Sequence, residues 1–578
     1  MKPQITTLKV NLRDKEFSYQ EEDPSKLSLE EKLGGFGKAV RLQERHLAEH
    51  PEIKYAFDQR NVLSIDLGFT TGSNLMTAKR TIISGMSPLK SSNSFTNGVM
   101  YSTASGDLGT ALRSLGVDSI EMYGRSEKPV YLMIEQGKAN LLDASELVGK
   151  TTHEKIHSLH GKHKGGAFAV IGPAGENLVR FAGVAFSTND QLRNGSNHLR
   201  YAGRGGFGAV LASKNVLGIA VLGDYEPSLN LGNLLDWNKE IATGSKTKKY
   251  RELGTFFANV ESSYASKSSI VDNFSENFDE RQKELFKPNL TDKGYTFKNK
   301  GCLGCGIKCW KEVQKDGKTL GKIDWEPGSL LGPNLGIYDI SQILELVNLS
   351  DSFGLDVMSA GVCIGFEMER LGRFGDFEFA KDLVSKISTA QHPLRDGVFR
   401  YRPGDPKAMH VKGIEFAAYL GNLNPGYAFV IGGPHRTSDT YNAWCYKDKF
   451  GAATNSVSEW VDNIDRGPQI ILYDMDGLCG FSKVDFEHVA ILFFNRYQEK
   501  VTPDDLRDVA KLVNHRVRKM DERLGFSSVE EVLPAYCYKD LGFIIPHFND
   551  EKFFQEVKEG VYQRFAQNEQ QWKEKGLI

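Results

Sequence analysis

Up to residue 222 the apolar positions come in short runs of β-branched and aromatic residues, each cut off by glycine or a polar turn. They are Thr81-Ile-Ile83, Ser119-Ile-Glu-Met-Tyr123, Pro129-Val-Tyr-Leu-Met-Ile134, Ala167-Phe-Ala-Val-Ile171 and Gly218-Ile-Ala-Val-Leu222. Runs of this kind predict strands. After Asp224 the spacing changes: Ile343-Leu-Glu-Leu-Val-Asn-Leu349 and the stretch from Val501 to Met520 repeat apolar residues at three and four, the period of an amphipathic helix. The pattern predicts an α+β chain with a β-rich N-terminal domain over residues 1–222 and a mainly helical remainder. The basic segment Thr243 to Tyr250 and the charged, amide-rich tail Asn568 to Lys575 read as solvated surface.

The helical region repeats a six-residue pattern, first as Asp351-Ser-Phe-Gly-Leu-Asp356 and again as Asp474-Met-Asp-Gly-Leu-Cys479. Each copy sets an acid three residues ahead of Gly-Leu, at what reads as a helix C-terminus where glycine takes the left-handed conformation. Freed carbonyls and N–H groups, with a carboxylate beside them, form a polar cup suited to hydrogen-bonding a heterocycle. Either copy alone is the mark of an ordinary helix cap. Two of them suggest a ligand with two similar halves, and the second ends in a cysteine.

That cysteine bears on a cluster elsewhere. Cys302, Cys305 and Cys309 fall in one stretch, Lys300-Gly-Cys-Leu-Gly-Cys-Gly-Ile-Lys-Cys-Trp310, whose interleaved glycines let a loop aim all three sulfurs at one centre. The remaining cysteines, at 363, 445, 479 and 537, are isolated. Zinc ribbons bring a second close pair of ligands, which is missing here. A distant single cysteine is what an iron–sulfur cube takes, so the spacing favours a [4Fe–4S] cluster with Cys479 as its fourth ligand. S-adenosylmethionine radical enzymes have three residues and then two between the thiols, the reverse of this order. An odd cysteine count argues against a disulfide framework.

Composition narrows the class. The 578 residues leave room for two or three domains, and 40% hydrophobic with 25% charged residues is ordinary for a globular enzyme. A net charge of −2 gives no argument for nucleic acid or a membrane surface. No stretch reaches the about 18 to 20 apolar residues of a membrane span, and Met1 to Val10 does not read as a secretion signal. A cytoplasmic protein is expected. Gly203-Arg-Gly-Gly-Phe-Gly208, followed by Asp224, has the form of a dinucleotide fingerprint, but Ser196 to Ala202 is not the apolar strand that must precede one. Arg200 and Arg204, with the loop N–H groups, read instead as a phosphate grip.

Through these residues the chain resembles the aldehyde ferredoxin oxidoreductase family, tungsten enzymes that carry two pyranopterin dithiolenes beside a [4Fe–4S] cluster. The family's cluster ligands match Cys302, Cys305, Cys309 and Cys479. Its paired pterin motifs match Asp351, Gly354, Leu355 and Asp356, and Asp474, Gly477 and Leu478. Ile171 to Leu178 and Ala202 to Asn215 are also similar to family text. The resemblance implies a β-rich base for the cofactor closed over by two helical domains. One, residues 223–412, holds the cysteine loop and first motif; the other, 413–578, holds a catalytic histidine and the second motif. It further implies tungsten in preference to molybdenum, pterin contacts from Arg80, Arg200, Gly203 and Arg204, and Mg2+ on the backbone carbonyls of Asn97 and Tyr201.

Glu326 then becomes the proton acceptor and His435 the polarising donor, with substrate loops expected near 327–331 and 427–431. Thr437 stands where the family has a pterin-contacting lysine, a contact left to Arg436. Glu345 matches one ligand of the metal that bridges homodimeric members, but its histidine counterpart is missing. A heterodimer with a small iron–sulfur subunit is therefore expected over a metal-bridged homodimer. The activity implied is oxidation of an aldehyde to a carboxylic acid with water as oxygen source, electrons leaving through the cluster to ferredoxin or that subunit. The alternatives are a tungsten-dependent reductase of the aromatic acyl-CoA type and an iron–sulfur electron-transfer subunit.

Overall fold

A computed structural model of the chain describes residues 4–196, 198–421, 424–432, 456–541 and 550–578. Its first twelve strands fall into two six-stranded sheets, each built from one continuous half of the N-terminal region. The first half supplies β1 (Ile5–Asn11), β2 (Glu16–Glu22), β3 (Leu63–Leu67), β4 (Thr81–Ser91), β5 (Asn97–Ala104) and β6 (Ser119–Tyr123). They lie in the order β2-β1-β6-β3-β4-β5. The second half supplies β7 (Val130–Glu135), β8 (Lys138–Asp143), β9 (Ala167–Ile171), β10 (Val184–Phe186), β11 (Arg200–Ala202) and β12 (Val216–Val221), in the order β11-β10-β9-β12-β7-β8. Each sheet contains one parallel pair, β1 with β6 and β7 with β12.

Strands β3, β4, β9 and β12 are buried at every position. A strand covered on both faces has no polar side to show, so β9 and β12 read as near-continuous apolar runs, while β3 and β4 bury Ser64, Asp66, Ser84 and Lys90 among their apolar residues. Edge strand β2, Glu-Phe-Ser-Tyr-Gln-Glu-Glu, is largely exposed and charged, a composition that discourages pairing with other chains.

From residue 235 onward helices dominate, but the sequence missed a three-stranded antiparallel sheet there: β13 (Tyr295–Lys300), β14 (Trp310–Lys315) and β15 (Lys318–Ile323). Asp316 and Gly317 between β14 and β15 both have positive φ, +50° and +74°, the backbone of a tight hairpin turn. Lys300 pairs with Trp310, so residues 301–309 form the loop closing the other end. The basic segment Thr243 to Tyr250 is also more than solvated surface, since Ser245–Ala265 is a helix in which Thr247 and Tyr250 are buried. Among the described residues no helix is long and apolar enough to cross a membrane.

Candidate active site

Both predicted cups form at helix ends. Helix Ile340–Phe353 stops at Gly354 with φ +76°, and helix Ile471–Asp476 stops at Gly477 with φ +82°. In each, the leucine amide reaches back across the glycine, Leu355 to the Ser350 carbonyl at 3.0 Å and Leu478 to that of Tyr473 at 2.9 Å.

Each cup leans on a different sheet. The first is tied to the second sheet by Gly183 N–H to the Gly354 carbonyl at 2.8 Å and Asp356 N–H to that of Phe181 at 2.9 Å. The second is tied to the first sheet by Arg80 N–H to the Gly477 carbonyl at 3.0 Å and Cys479 N–H to that of Thr77 at 3.2 Å. The approach leaves no room for a side chain: a Cβ on Gly68 would lie 2.0 Å from the Asp476 carbonyl carbon, and one on Gly172 would lie 2.1 Å from the Phe353 oxygen. One sheet per cup gives the site a twofold character that follows from the two halves of the N-terminal region.

Between the cups lies a cavity of about 400 Å³. Cys302, Cys305, Cys309 and Cys479 all line it, together with Arg80, Arg200, Tyr201, Gly203, Arg204, Glu326, Asp351, Leu355 and Asp356. Four cysteines separated in sequence therefore meet at one place. Burial pushes the Cys305 thiol up to about 12, and the nearby Cys302 and Cys479 add to the shift. Among the described residues no three His, Cys, Asp or Glu side chains close on a single ion. The four sulfurs lie along the cavity wall.

The loop is held from outside. The Cys309 carbonyl accepts from Thr255 N–H at 3.0 Å, and Lys311 Nζ donates to the carbonyls of Tyr250, Arg251 and Lys308 at 3.2, 3.1 and 3.1 Å.

The polar groups of the wall fall into those already engaged and those left open. Lys322 Nζ sits 3.1 Å from Asp351 Oδ2, and the Tyr201 hydroxyl donates to the Asp351 carbonyl at 2.8 Å. Arg200 lies 5.2 Å over the Trp310 ring and 3.9 Å from Asp324. Arg80 has only long contacts, 3.4 Å to Thr103 Oγ1 and 3.8 Å to Cys479 Sγ, and its buried Nε has no hydrogen-bond partner among the described residues. A half-buried guanidinium so loosely held, facing the cavity, fits an anionic group there. Glu326, in the first turn of helix Trp325–Leu330, is anchored by the Ala418 amide, which donates to Oε2 at 2.6 Å. Pro327 and Tyr427, from the two expected substrate loops, also line the wall.

Several expected site residues are placed or partnered otherwise than as cavity-facing donors. Asn97 does not line the cavity; its side chain binds the Ala56 amide and the carbonyls of Pro88 and Lys90 at the start of β5. Ser102, Thr103 and Ser105, from the other end of β5 and just past it, line the cavity instead. Tyr201, whose carbonyl the resemblance pairs with that of Asn97 on Mg2+, does line the cavity. Arg204 is not an open phosphate donor, because Nη1 binds Asp356 at 2.9 Å and Ser359 at 3.2 Å while Nη2 binds the Glu415 carbonyl. It fixes the first cup.

Of the second motif only Cys479 reaches the wall: Asp474 accepts from the Tyr101 hydroxyl at 2.9 Å, and Gly477 and Leu478 stand behind it. Glu345 faces outward in an ion pair with Lys381. Gly354 supports the first cup from behind. His435, Arg436 and Thr437 lie outside the described residues. Residues missed from the sequence include Lys322, Tyr101, Lys79 and Ser105. Lys322 had a signal, a lysine immediately before the stretch Ile323-Asp-Trp-Glu-Pro327 that carries Glu326.

Comparisons with known proteins place the chain in a family. The aldehyde ferredoxin oxidoreductase N-terminal domain matches residues 7–223, and domains 2 and 3 of the same family match residues 234–575. The chain is 31% identical over 424 residues to the tungsten-containing aldehyde ferredoxin oxidoreductase of Pyrococcus furiosus, covering 67% of this chain and 66% of that one. It is 31% identical over 381 residues to the same enzyme of Pyrococcus abyssi, covering 63% and 57%. The match to the aliphatic sulfonate oxidoreductase, WOR-like subunit, of Pyrococcus furiosus is 28% over 361 residues, 58% and 54% of the two chains. The matched stretches thus span between about half and two thirds of these relatives' own length. The active site complex of benzoyl coenzyme A reductase with 1,5-dienoyl-CoA shares the fold, with a TM-score of 0.75 at 20% identity over 99% of this chain and 98% of that one. With both family domains matched along nearly its whole length, the chain belongs to the aldehyde ferredoxin oxidoreductase family.

Proposed function

We propose that the protein is a tungsten-bispyranopterin oxidoreductase that converts aldehydes to carboxylic acids and passes the electrons through a [4Fe–4S] cluster to ferredoxin or a small iron–sulfur partner. The observation that carries this reading is the meeting of four cysteines, the first cup and Glu326 on one cavity wall. The tungsten pterin, when bound, supplies two-electron redox chemistry.

The rest falls to the chain. Aldehyde and water give acid, two protons and two electrons, so a base must face the substrate. Glu326, held through one oxygen by the Ala418 amide, takes the proton of the water or of the hydrated aldehyde. His435 is assigned the donor that polarises the substrate oxygen. Arg80 and Arg200 hold the anionic ends of the cofactor, and Asp351, fixed by Lys322, meets its heterocycle. The four cysteines bind the iron cluster as thiolates, so Cys305 and Cys309, whose thiols burial pushes up, give up their protons on binding.

Anaerobically purified enzyme should contain tungsten and roughly four irons per chain, and should reduce a low-potential viologen dye when given an aldehyde. Glu326→Gln keeps an oxygen for the Ala418 amide, so it should retain metal and fold while turnover drops by roughly 10² to 10⁴. Protein holding neither tungsten nor molybdenum would sink the proposal. A second reading, reduction of an aromatic acyl thioester, is supported by the fold shared with the benzoyl coenzyme A reductase complex. Turnover of an acyl thioester with no turnover of any aldehyde would decide for it.

A further inference from the structure

The basic segment around Lys248 has no role in the cavity, yet the fold sets it against the cysteine loop. Gly306 packs on the residue before it, so closely that a Cβ there would lie 2.4 Å from Ala242 Cβ. Lys311 ties the loop to the carbonyls of Tyr250 and Arg251. On the other side Phe481, two residues past Cys479 and itself on the cavity wall, meets the Tyr250 ring at 4.6 Å. Three segments therefore converge on the outer edge of the sulfur cluster: the start of helix Ser245–Ala265, the loop 301–309, and the chain just after Cys479.

At this edge the loop tip, Leu303 and Gly304, is exposed. The groups around it are Lys246 and Lys249 from the helix, Lys308 from the loop and Lys483 from the third segment. All four are exposed. Lys249 lies in the field of the like-charged Lys483 and 5.0 Å over the Tyr250 ring. Among the acids beside them, Glu240 folds over Gly244 at the start of the helix, where a Cβ would lie 2.1 Å from its Oε1. Glu252 pairs with Lys248 at 3.9 Å, and Asp485 pairs with His488 while lying in the field of Lys246. No ion pair is found among the described residues for Lys249, Lys308 or Lys483.

The helix gains nothing from this arrangement. Its first turn carries no acidic residue, and cations at a helix N-terminus oppose the macrodipole. Positive charge without an ion-pair partner among the described residues, gathered beside an exposed edge of the cysteine loop, calls for an external counter-charge.

We propose that Lys246, Lys249, Lys308 and Lys483, set around the exposed tip Leu303-Gly304, form the docking surface for a small acidic iron–sulfur protein that takes electrons from the cluster. This rests on the reading that the four cysteines hold an iron–sulfur cluster. Each encounter moves one electron from the cluster to the carrier, so the two electrons released per aldehyde reduce two carriers and leave the cluster ready for the next turnover. Lysine is depleted at the core of permanent interfaces and charge chiefly raises the rate of encounter, so the surface fits a carrier that comes and goes.

The test uses holoenzyme and an acidic low-potential [4Fe–4S] ferredoxin, with a viologen dye as the small acceptor that needs no docking. The variant Lys246→Glu/Lys249→Glu/Lys483→Glu changes exposed side chains only. Its ferredoxin-coupled rate should fall by roughly tenfold or more at low salt, while iron content and dye-coupled turnover stay at the parent level. The parent's ferredoxin-coupled rate should fall as salt is raised. Titration calorimetry of the parent and variant with oxidised ferredoxin reads the docking without turnover, and the variant should bind more weakly. Equal ferredoxin rates and equal affinity in parent and variant, or a rate indifferent to salt, would overturn the proposal. So would a one-to-one complex with a small subunit that survives high salt over this surface. Lack of dye reduction with every aldehyde would count against the proposed oxidation alone, since the calorimetric arm still reads the docking.

Discussion

Gly477 has a φ of +82°, and a Cβ placed on it would lie 2.0 Å from Thr71 Oγ1. Gly116 has a similar φ, +75°, with nothing within 4 Å. The pair separates two costs of replacing glycine by alanine. Gly116→Ala should lose only the roughly 1 to 2 kcal/mol of a left-handed L-residue. Gly477→Ala adds a clash that pushes the second cup off the first sheet. We therefore expect a larger drop in the denaturant midpoint for Gly477→Ala, together with a loss of pterin content that Gly116→Ala does not show.

Glu415 adds a pH signature. It is fully buried, its Oε1 accepts from the Val398 amide at 3.1 Å, and burial pushes its carboxyl up from 4.5 to about 7, with Ser359 and Arg204 pulling it back. Between those values the native protein holds a proton that the unfolded chain has released, so stability falls as pH rises through the window. Below it both states are protonated; above it neither is, and the contribution has been lost. Glu415→Gln should flatten the unfolding midpoint against pH between 4.5 and about 7.

At this scale the sequence was most readable where chemistry is local. Cysteines and Asp-x-x-Gly-Leu cups carry their geometry in a few residues, and the structure brings them together. Asn97 was expected from the resemblance alone, and its side chain is taken up at the start of β5, off the cavity wall. Asp474 misled because nothing local announces that the Tyr101 hydroxyl would cover it.

Between elements, the cysteine loop depends on its hairpin. Loop 301–309 is the connection of β13 to β14, and its C-terminal limb is held by Lys311, which is buried and donates to three carbonyls. Hydrogen bonds from a charged donor are worth about 1.5 to 3 kcal/mol each, so removing this one side chain loosens the loop against its helix. Lys311→Met should lower iron content well below that of the parent while tungsten is largely kept, because neither cup contacts Lys311. Equal iron in the two proteins, measured by elemental analysis, would show that the hairpin alone holds the loop. The hairpin was legible after all: Asp316-Gly317 between alternating strands is a strong turn signal, obscured by lysine-rich strands in a region whose neighbours have helical spacing. The strands of the two large sheets were found where they are short and apolar. They were missed where both faces are buried by small and polar residues, as in β5, Asn-Gly-Val-Met-Tyr-Ser-Thr-Ala.

Over the whole molecule, the site exists only while the sheets and the C-terminal helices stay clamped. The clamp is a buried charge network. Lys90 on β4 pairs with Asp521 on helix Pro503–Arg523, and Asp521 Oδ1 also accepts from the Val99 amide at 3.2 Å. Beside it Glu531 receives Lys412 at 2.8 Å and Arg518, which draw its carboxyl down to about 2 against the opposing effect of burial. Lys90 is fully buried, and burial holds its ammonium down to about 8 even with Asp521 beside it. Removing one member of such a pair leaves a charge in a place that cannot solvate it, at a cost of about 3 to 5 kcal/mol. Asp521→Ala should therefore lower the unfolding midpoint sharply. Lys90→Met with Asp521→Leu takes out both charges and keeps the volume, so it should recover most of the loss. If the double variant is no more stable than Asp521→Ala, the cost comes from the Val99 amide losing its acceptor and not from the stranded lysine. Asp521→Asn, which keeps that acceptor, then separates the two.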